Sequence, residues 1–156
     1  KSEFKPSNSN PVSQGTRCHQ LALYTIFEAP LQMMADSPTA YMAAQESTDF
    51  IAKIPTVFDE TVALDGEVGK YIAIARKKGN NWYLGAITNW NSRDITLDFS
   101  FLENGKKYEV DLFTDGLNAE KAAVDYKREK ITIDSSTKMT FHLASGGGLS
   151  AIISPK

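Results

Sequence analysis

The spacing of apolar residues changes at Pro55, and that break constrains the fold more than any other feature of the chain. Beyond it the pattern is alternating. Ile95, Leu97, Phe99 and Phe101 are separated by Thr96, Asp98 and Ser100, the period-2 signature of a strand with one buried face. Tyr108, Val110 and Leu112 repeat it, as do Ile131 and Ile133, then Met139, Phe141 and Leu143. Apolar runs at 71–75, 82–88 and 149–153 read as further strands, with turns at 78–81, 89–94 and Gly146-Gly147-Gly148. A longer polar connection fills 115–128. Short strands at this spacing predict a mainly β fold, an antiparallel sandwich of about eight strands over residues 55–156. Alternation puts Trp82 and Tyr83 on opposite faces, so at most one of them is expected in the core.

Before Pro55 the spacing is helical. Thr16 is a suitable N-cap for a helix over 16–29, in which Cys18, Leu21, Ala22, Leu23, Tyr24, Ile26 and Phe27 cover most of the circumference. Such a helix belongs inside a larger body, and Pro30 stops it. Residues 31–35 (LQMMA) are long enough for a buried strand and too short for a helix, and end at Asp36. Ser37-Pro38 opens a second helical stretch over 39–45 and 47–54, with Tyr41, Met42, Phe50, Ile51 and Ile54 on its apolar side. Residues 1–15 form a polar, proline-containing lead-in that needs support from elsewhere or is mobile. The first residue is Lys1 rather than methionine, so the chain is expected to be processed or part of something longer.

With 156 residues, 17 Lys+Arg and 19 Asp+Glu, the formal charge is −2 and no basic stripe stands out, which argues against nucleic acid as a partner. Cys18 is the single cysteine, which excludes an internal disulfide and a Cys-based zinc framework. No apolar run reaches the length of a membrane-spanning helix.

Few side chains invite a chemical role. His19 beside Cys18 suggests a thiol–imidazole pair, but neighbours on a helix point about 100° apart, so a packed histidine is the simpler reading. His142 falls on the polar side of its strand. Glu28, Asp36, Asp59 and Glu60 offer carboxylates near the helical third, and glycoside cleavage generally needs two of them. Asp36 sits where a barrel would place a reactive group, at a strand end and on a cleft rim; the competing role is a turn or cap before Ser37-Pro38. Tyr71, Trp82, Tyr83 and Trp90 could stack on sugar rings, Trp90 being best placed in a turn; against this, turn-flanking tryptophans commonly cap a sandwich core. The glycine run lacks the Lys-Ser/Thr and helix of a phosphate loop. Residues 127–130 mix charges and read as a solvated face.

Three collinear segments, SQGTRCHQLALYTIFEAPLQMMADSPTAY (13–41), IPTVFDETVALDGEVGKYIAIARKKGNNWYLGAITNW (54–90) and DGLNAEKAAVDYKRE (115–129), resemble the C-terminal region of glycoside hydrolase family 97. The resemblance extends over essentially the whole chain. It implies that residues 1–54 end a (β/α)8 catalytic barrel, with a late helix at 16–29, the eighth strand at 31–35 and the closing helix at 39–54. Residues 55–156 would be the family's C-terminal sandwich, associated with assembly into oligomers. Members cleave α-glucosides with inversion or α-galactosides with retention, use calcium, and work in the periplasm or cell envelope of gut-type bacteria; the segment looks closer to the α-glucosidase side.

The family's acid, base or nucleophile and calcium carboxylates precede the stretch represented here, and no position matches their motifs. The resemblance therefore transfers no catalytic or metal residue, and this stretch is expected to be inactive alone. Its expected partners are the barrel of the same polypeptide and a second copy of the chain. Two rivals compete with that reading: a carbohydrate-binding module using Trp90 or Trp82, and a small hydrolase using Asp36, Glu28 or His19.

Overall fold

Eight antiparallel strands form two sheets in the computed structural model, which describes Asn8 and residues 13–156. Most of the expected lead-in lies outside the described residues. Strands β1 (Glu60–Glu67), β2 (Tyr71–Lys78), β3 (Asn81–Thr88), β5 (Tyr108–Asp115), β6 (Tyr126–Ile133) and β8 (Gly148–Pro155) make a six-stranded sheet in the order β1-β2-β3-β8-β5-β6. Strands β4 (Arg93–Asp98) and β7 (Lys138–Leu143) pair separately as a two-stranded sheet. Three helices precede them, α1 (Arg17–Ile26), α2 (Pro38–Ala43) and α3 (Gln45–Ile51).

Strand pleating sorts the residues into layers. Trp82, Leu84 and Ala86 of β3, Leu149, Ala151 and Ile153 of β8 and Val110 and Leu112 of β5 face the small sheet. There they meet Ile95 and Leu97 of β4 and Phe141 and Leu143 of β7, forming the sandwich core. The intervening residues Tyr83, Phe113 and Ile152 point the other way and pack on Cys18, Leu21 and Phe50 of the helices. The expectation that only one of Trp82 and Tyr83 is buried therefore fails: they are 5% and 7% exposed. Helices cover the second face of the central strands, which removes the solvent side that alternation assumes.

Small residues seat α1. A Cβ at Gly85 would lie 2.9 Å from the Ala22 carbonyl oxygen, and one at Gly148 would lie 2.9 Å from His19 Cα. The helix thus runs directly over the backbones of β3 and β8. Thr16 caps it, its Oγ1 accepting from the His19 N–H at 3.1 Å. The Thr16 N–H donates to Gly146 O at 3.0 Å and the Arg17 N–H to Ala123 O at 2.7 Å, tying the first turn to the sandwich. Cys18, Leu21, Ala22 and Thr25 are buried beneath it, while Phe27 is exposed. The helix stops at Ile26, short of the expected 29, because Phe27 is already extended (φ −74°, ψ 131°).

Residues 31–35 are not a strand. They are irregular, and Leu31, Met33 and Met34 are 79%, 79% and 41% exposed. A strand is defined by its ladder partner, and among the described residues nothing pairs with this segment. The second helical stretch divides at Ala44 (φ −121°, ψ 44°) into α2, capped by Ser37, and α3. Phe50 anchors α3, its ring 4.6 Å from that of Phe113.

Candidate functional site

The helices enclose a concave cleft of about 780 Å³ between α1 and the α2–α3 pair. Leu23 and Tyr24 of α1 and Phe27 just beyond it line one side, Tyr41, Thr48 and Ile51 the other, and Leu31 and Met33 lie along the connecting stretch. Asp36 stands at its rim and is exposed, but the strand end expected to carry it is not formed. Its N–H donates to Tyr41 Oη at 3.2 Å and its Oδ1 accepts from the Ser37 N–H at 2.7 Å. These are turn contacts that start α2. Among the described residues lining the cleft, Asp36 is the only carboxylate, so the acid–base pair that glycoside cleavage needs is not assembled there.

The other sequence candidates are dispersed. Asp59 accepts from Lys78 Nζ at 2.7 Å and from the Gly79 N–H at 2.8 Å, and the Lys78 hydrogen bond holds its carboxyl below the ordinary value. Glu60 is exposed on the edge strand β1. His19 is half-buried with Nδ1 3.2 Å from Gly147 O, and Cys18 is completely buried, its thiol pushed well up by desolvation. A thiol so shielded is a poor nucleophile. His142 pairs with Asp94 at 2.6 Å on the outer side of the small sheet.

The two tryptophans separate. Trp82 packs edge-on against Phe101 at 4.8 Å, with Lys77 Nζ 5.5 Å from its ring, so it has no open face for a sugar. Trp90 is 56% exposed, but its ring lies over Gly146, where a Cβ would come within 2.4 Å of Cζ3. Its carbonyl accepts from Ser145 Oγ at 2.6 Å.

One cluster escaped sequence reasoning. Arg128 reaches Asp111 through Nε at 2.8 Å and Nη2 at 2.7 Å, and Glu46 through Nη1 at 3.1 Å. Tyr126 Oη donates to the other oxygen of Glu46 at 2.5 Å. The cluster clamps α3 onto β5 and β6. Tyr126, then Arg128, holds the Glu46 carboxyl below its ordinary value, and Arg128 does the same for Asp111. The 127–130 run is thus only partly the solvated face expected, since Arg128 is paired across two elements. Glu46 and Asp111 lie 82 and 17 residues away in sequence, so no local spacing announces the contact.

The described residues bring no three His, Cys, Asp or Glu side chains together as metal ligands. None of their helices is long and apolar enough to cross a membrane. What the helical side does offer is a shaped, largely apolar surface.

Comparison with known proteins gives that surface a context. A retaining α-galactosidase of Bacteroides thetaiotaomicron is 53% identical over 148 residues, 95% of this chain and 22% of the relative's length. The solved structure of a glycoside hydrolase family 97 enzyme from Pseudoalteromonas sp. strain K8, in complex with panose, superposes with a TM-score of 0.89. It is 39% identical, over 92% of this chain and 23% of that one. A β-arabinopyranosidase structure shares the fold, with a TM-score of 0.76 at 24% identity. The expected leaning toward the α-glucosidase side does not match these identities, the higher of which belongs to the α-galactosidase. This chain therefore spans about a fifth of the length of such relatives. The family described as glycosyl-hydrolase 97 C-terminal, oligomerisation, matches residues 57–154, and the chain belongs to it.

Proposed function

We propose that this chain is the non-catalytic C-terminal module of a family 97 enzyme that hydrolyses α-galactosides with retention. In this reading residues 1–54 complete the catalytic barrel, and residues 55–156 brace it and contact a second copy. The observation that carries the reading is the unpaired stretch at 31–35. Leu31, Met33 and Met34 stand exposed beside the cleft, an arrangement that makes sense when parallel neighbours and covering side chains come from the rest of a longer polypeptide. The 53% identity to a retaining α-galactosidase supports the substrate. Calcium and a periplasmic or cell-envelope location belong to the reading through the family resemblance. The described residues offer no ligand cluster for the ion, which in this reading is held by the barrel.

Expression of the full-length polypeptide and of this chain alone tests the proposal. The former should hydrolyse nitrophenyl α-galactoside faster than the α-glucoside and elute as an oligomer; the latter should be inactive on both. Turnover by the chain alone, abolished by Asp36→Asn, would overturn it. Trp90 is the exposed tryptophan that favours the carbohydrate-binding alternative. Saturable quenching by galacto- or maltooligosaccharides, lost in Trp90→Ala, would establish that alternative.

A further inference from the structure

Arg76 points to an unfilled ionic contact. It lies on the helix-facing side of β2, is 6% exposed, and packs against Phe58, whose ring centroid is 5.1 Å from Cζ. Its Nε is buried without a hydrogen-bond partner. Among the described residues its ionic contact is Glu28, whose Oε2 is 3.7 Å from Nη2, beyond hydrogen-bonding reach; the Glu28 side chain is 91% exposed. Arg128, by contrast, has two parallel bonds to Asp111 although it is more exposed. A guanidinium cannot shed its charge on burial, so an uncompensated one is costly where it stands.

We propose that Arg76 receives a carboxylate from the larger, catalytic part of the same polypeptide, seated just past the end of α1. The inference rests on the reading that such a part exists. Three observations select this occupant. A buried cation whose carboxylate contact stands beyond hydrogen-bonding reach fits a closer anion, and a carboxylate matches the guanidinium fork. The side of the guanidinium that meets Glu28 adjoins the exposed stretch leaving α1, where Phe27 and Leu31 also await cover. The relatives carry most of their length outside the matched region.

The test uses the full-length polypeptide with Arg76→Met, Arg76→Lys and Glu28→Gln, and follows chymotryptic cutting within residues 27–37. Met keeps an unbranched apolar stem but removes the guanidinium, with its charge, its donors and its stacking on Phe58, stranding the incoming carboxylate. Glu28→Gln and Arg76→Lys separate the loss of charge from the loss of packing. Cutting should accelerate about tenfold or more in Arg76→Met, less in Arg76→Lys, and hardly at all in Glu28→Gln. The rates should not depend on protein concentration. Unchanged cutting in Arg76→Met would overturn the proposal, as would an equal effect of Glu28→Gln, which would make Glu28 the whole partner. Acceleration that varies with protein concentration would place the carboxylate on a second copy and likewise overturn it. α-Galactosidase activity in the same preparation separates the two levels. Full activity with no Arg76→Met effect refutes only this contact, whereas a full-length protein without glycosidase activity refutes the reading beneath it.

Discussion

Gly85→Ala measures how firmly α1 belongs to the sandwich. The added methyl would stand 2.9 Å from Ala22 O, 3.1 Å from Ile26 Cγ1 and 3.2 Å from Thr25 Cβ. Two of these contacts come from helix side chains, but the tightest is with backbone, which cannot rotate away. The helix must rise. Overpacking of this kind costs about 1–3 kcal/mol, while Ala in place of Gly in a strand returns roughly 0.5–1 kcal/mol. Because the tightest clash is with backbone, the upper half of that range applies, and the net loss is about 1–2 kcal/mol, or a fall in Tm of about 2–8 °C for a chain of this size. Cys18 supplies a second readout: it is the only cysteine, is 0% exposed, and lies beneath α1. Lifting the helix should speed its reaction with a disulfide reagent by about 5–30-fold, the population change that such an energy implies. Gly79→Ala is the control. Gly79 has a positive φ of 58° with nothing within 4 Å of its added Cβ, so its cost of about 1 kcal/mol is purely conformational; Cys18 should not respond in proportion. A Gly85→Ala protein as stable as the parent, with Cys18 equally slow, would refute the seating of α1 on β3.

Other perturbations separate the remaining contacts. Phe50→Ala empties the fully buried site against Phe113 and should cost about 3–5 kcal/mol in denaturant unfolding. Acid should loosen α3. Glu46 and Asp111 have lowered pKa values, so their contribution is complete above the ordinary carboxylate range near pH 4 and is lost as pH falls through the lower folded-state values. Asp111→Asn should flatten that decline in a plot of Tm against pH. Trp82→Ala should destabilise strongly through loss of core packing, whereas Trp90→Ala should cost little and leave Trp82 fluorescence without a sugar response.

The parts of the fold legible in sequence are those whose pattern is complete within one element. Alternation at Ile95, Leu97 and Phe99 marks β4 and the residues after it because that sheet has one wet face. Thr16 and Ser37 announce their helices because a cap acts within three residues. Where a second element decides, local patterns fail. Tyr83 alternates like a solvent-facing residue and is buried because helices from much earlier in the chain cover it. Arg128 looks like one charge among several until Glu46 and Asp111 converge on it.

Residues 31–35 carry the same argument one step further. Their composition suits a strand, yet strand character belongs to a pair of segments, because backbone N–H and C=O groups must find partners across a ladder. LQMMA has the apolar content to be buried on both faces, as a central parallel strand is, and here it has neither ladder nor cover. The sandwich, with both faces of the central strands of its large sheet covered, offers it no ladder partner. A sequence tuned for burial but folded in the open is evidence about the rest of the polypeptide. If the full-length protein were probed by hydrogen exchange, amides 31–35 should exchange orders of magnitude more slowly than in this chain alone. Equal exchange in the two would mean that the segment never becomes a strand, and the barrel assignment of residues 1–54 would fall with it.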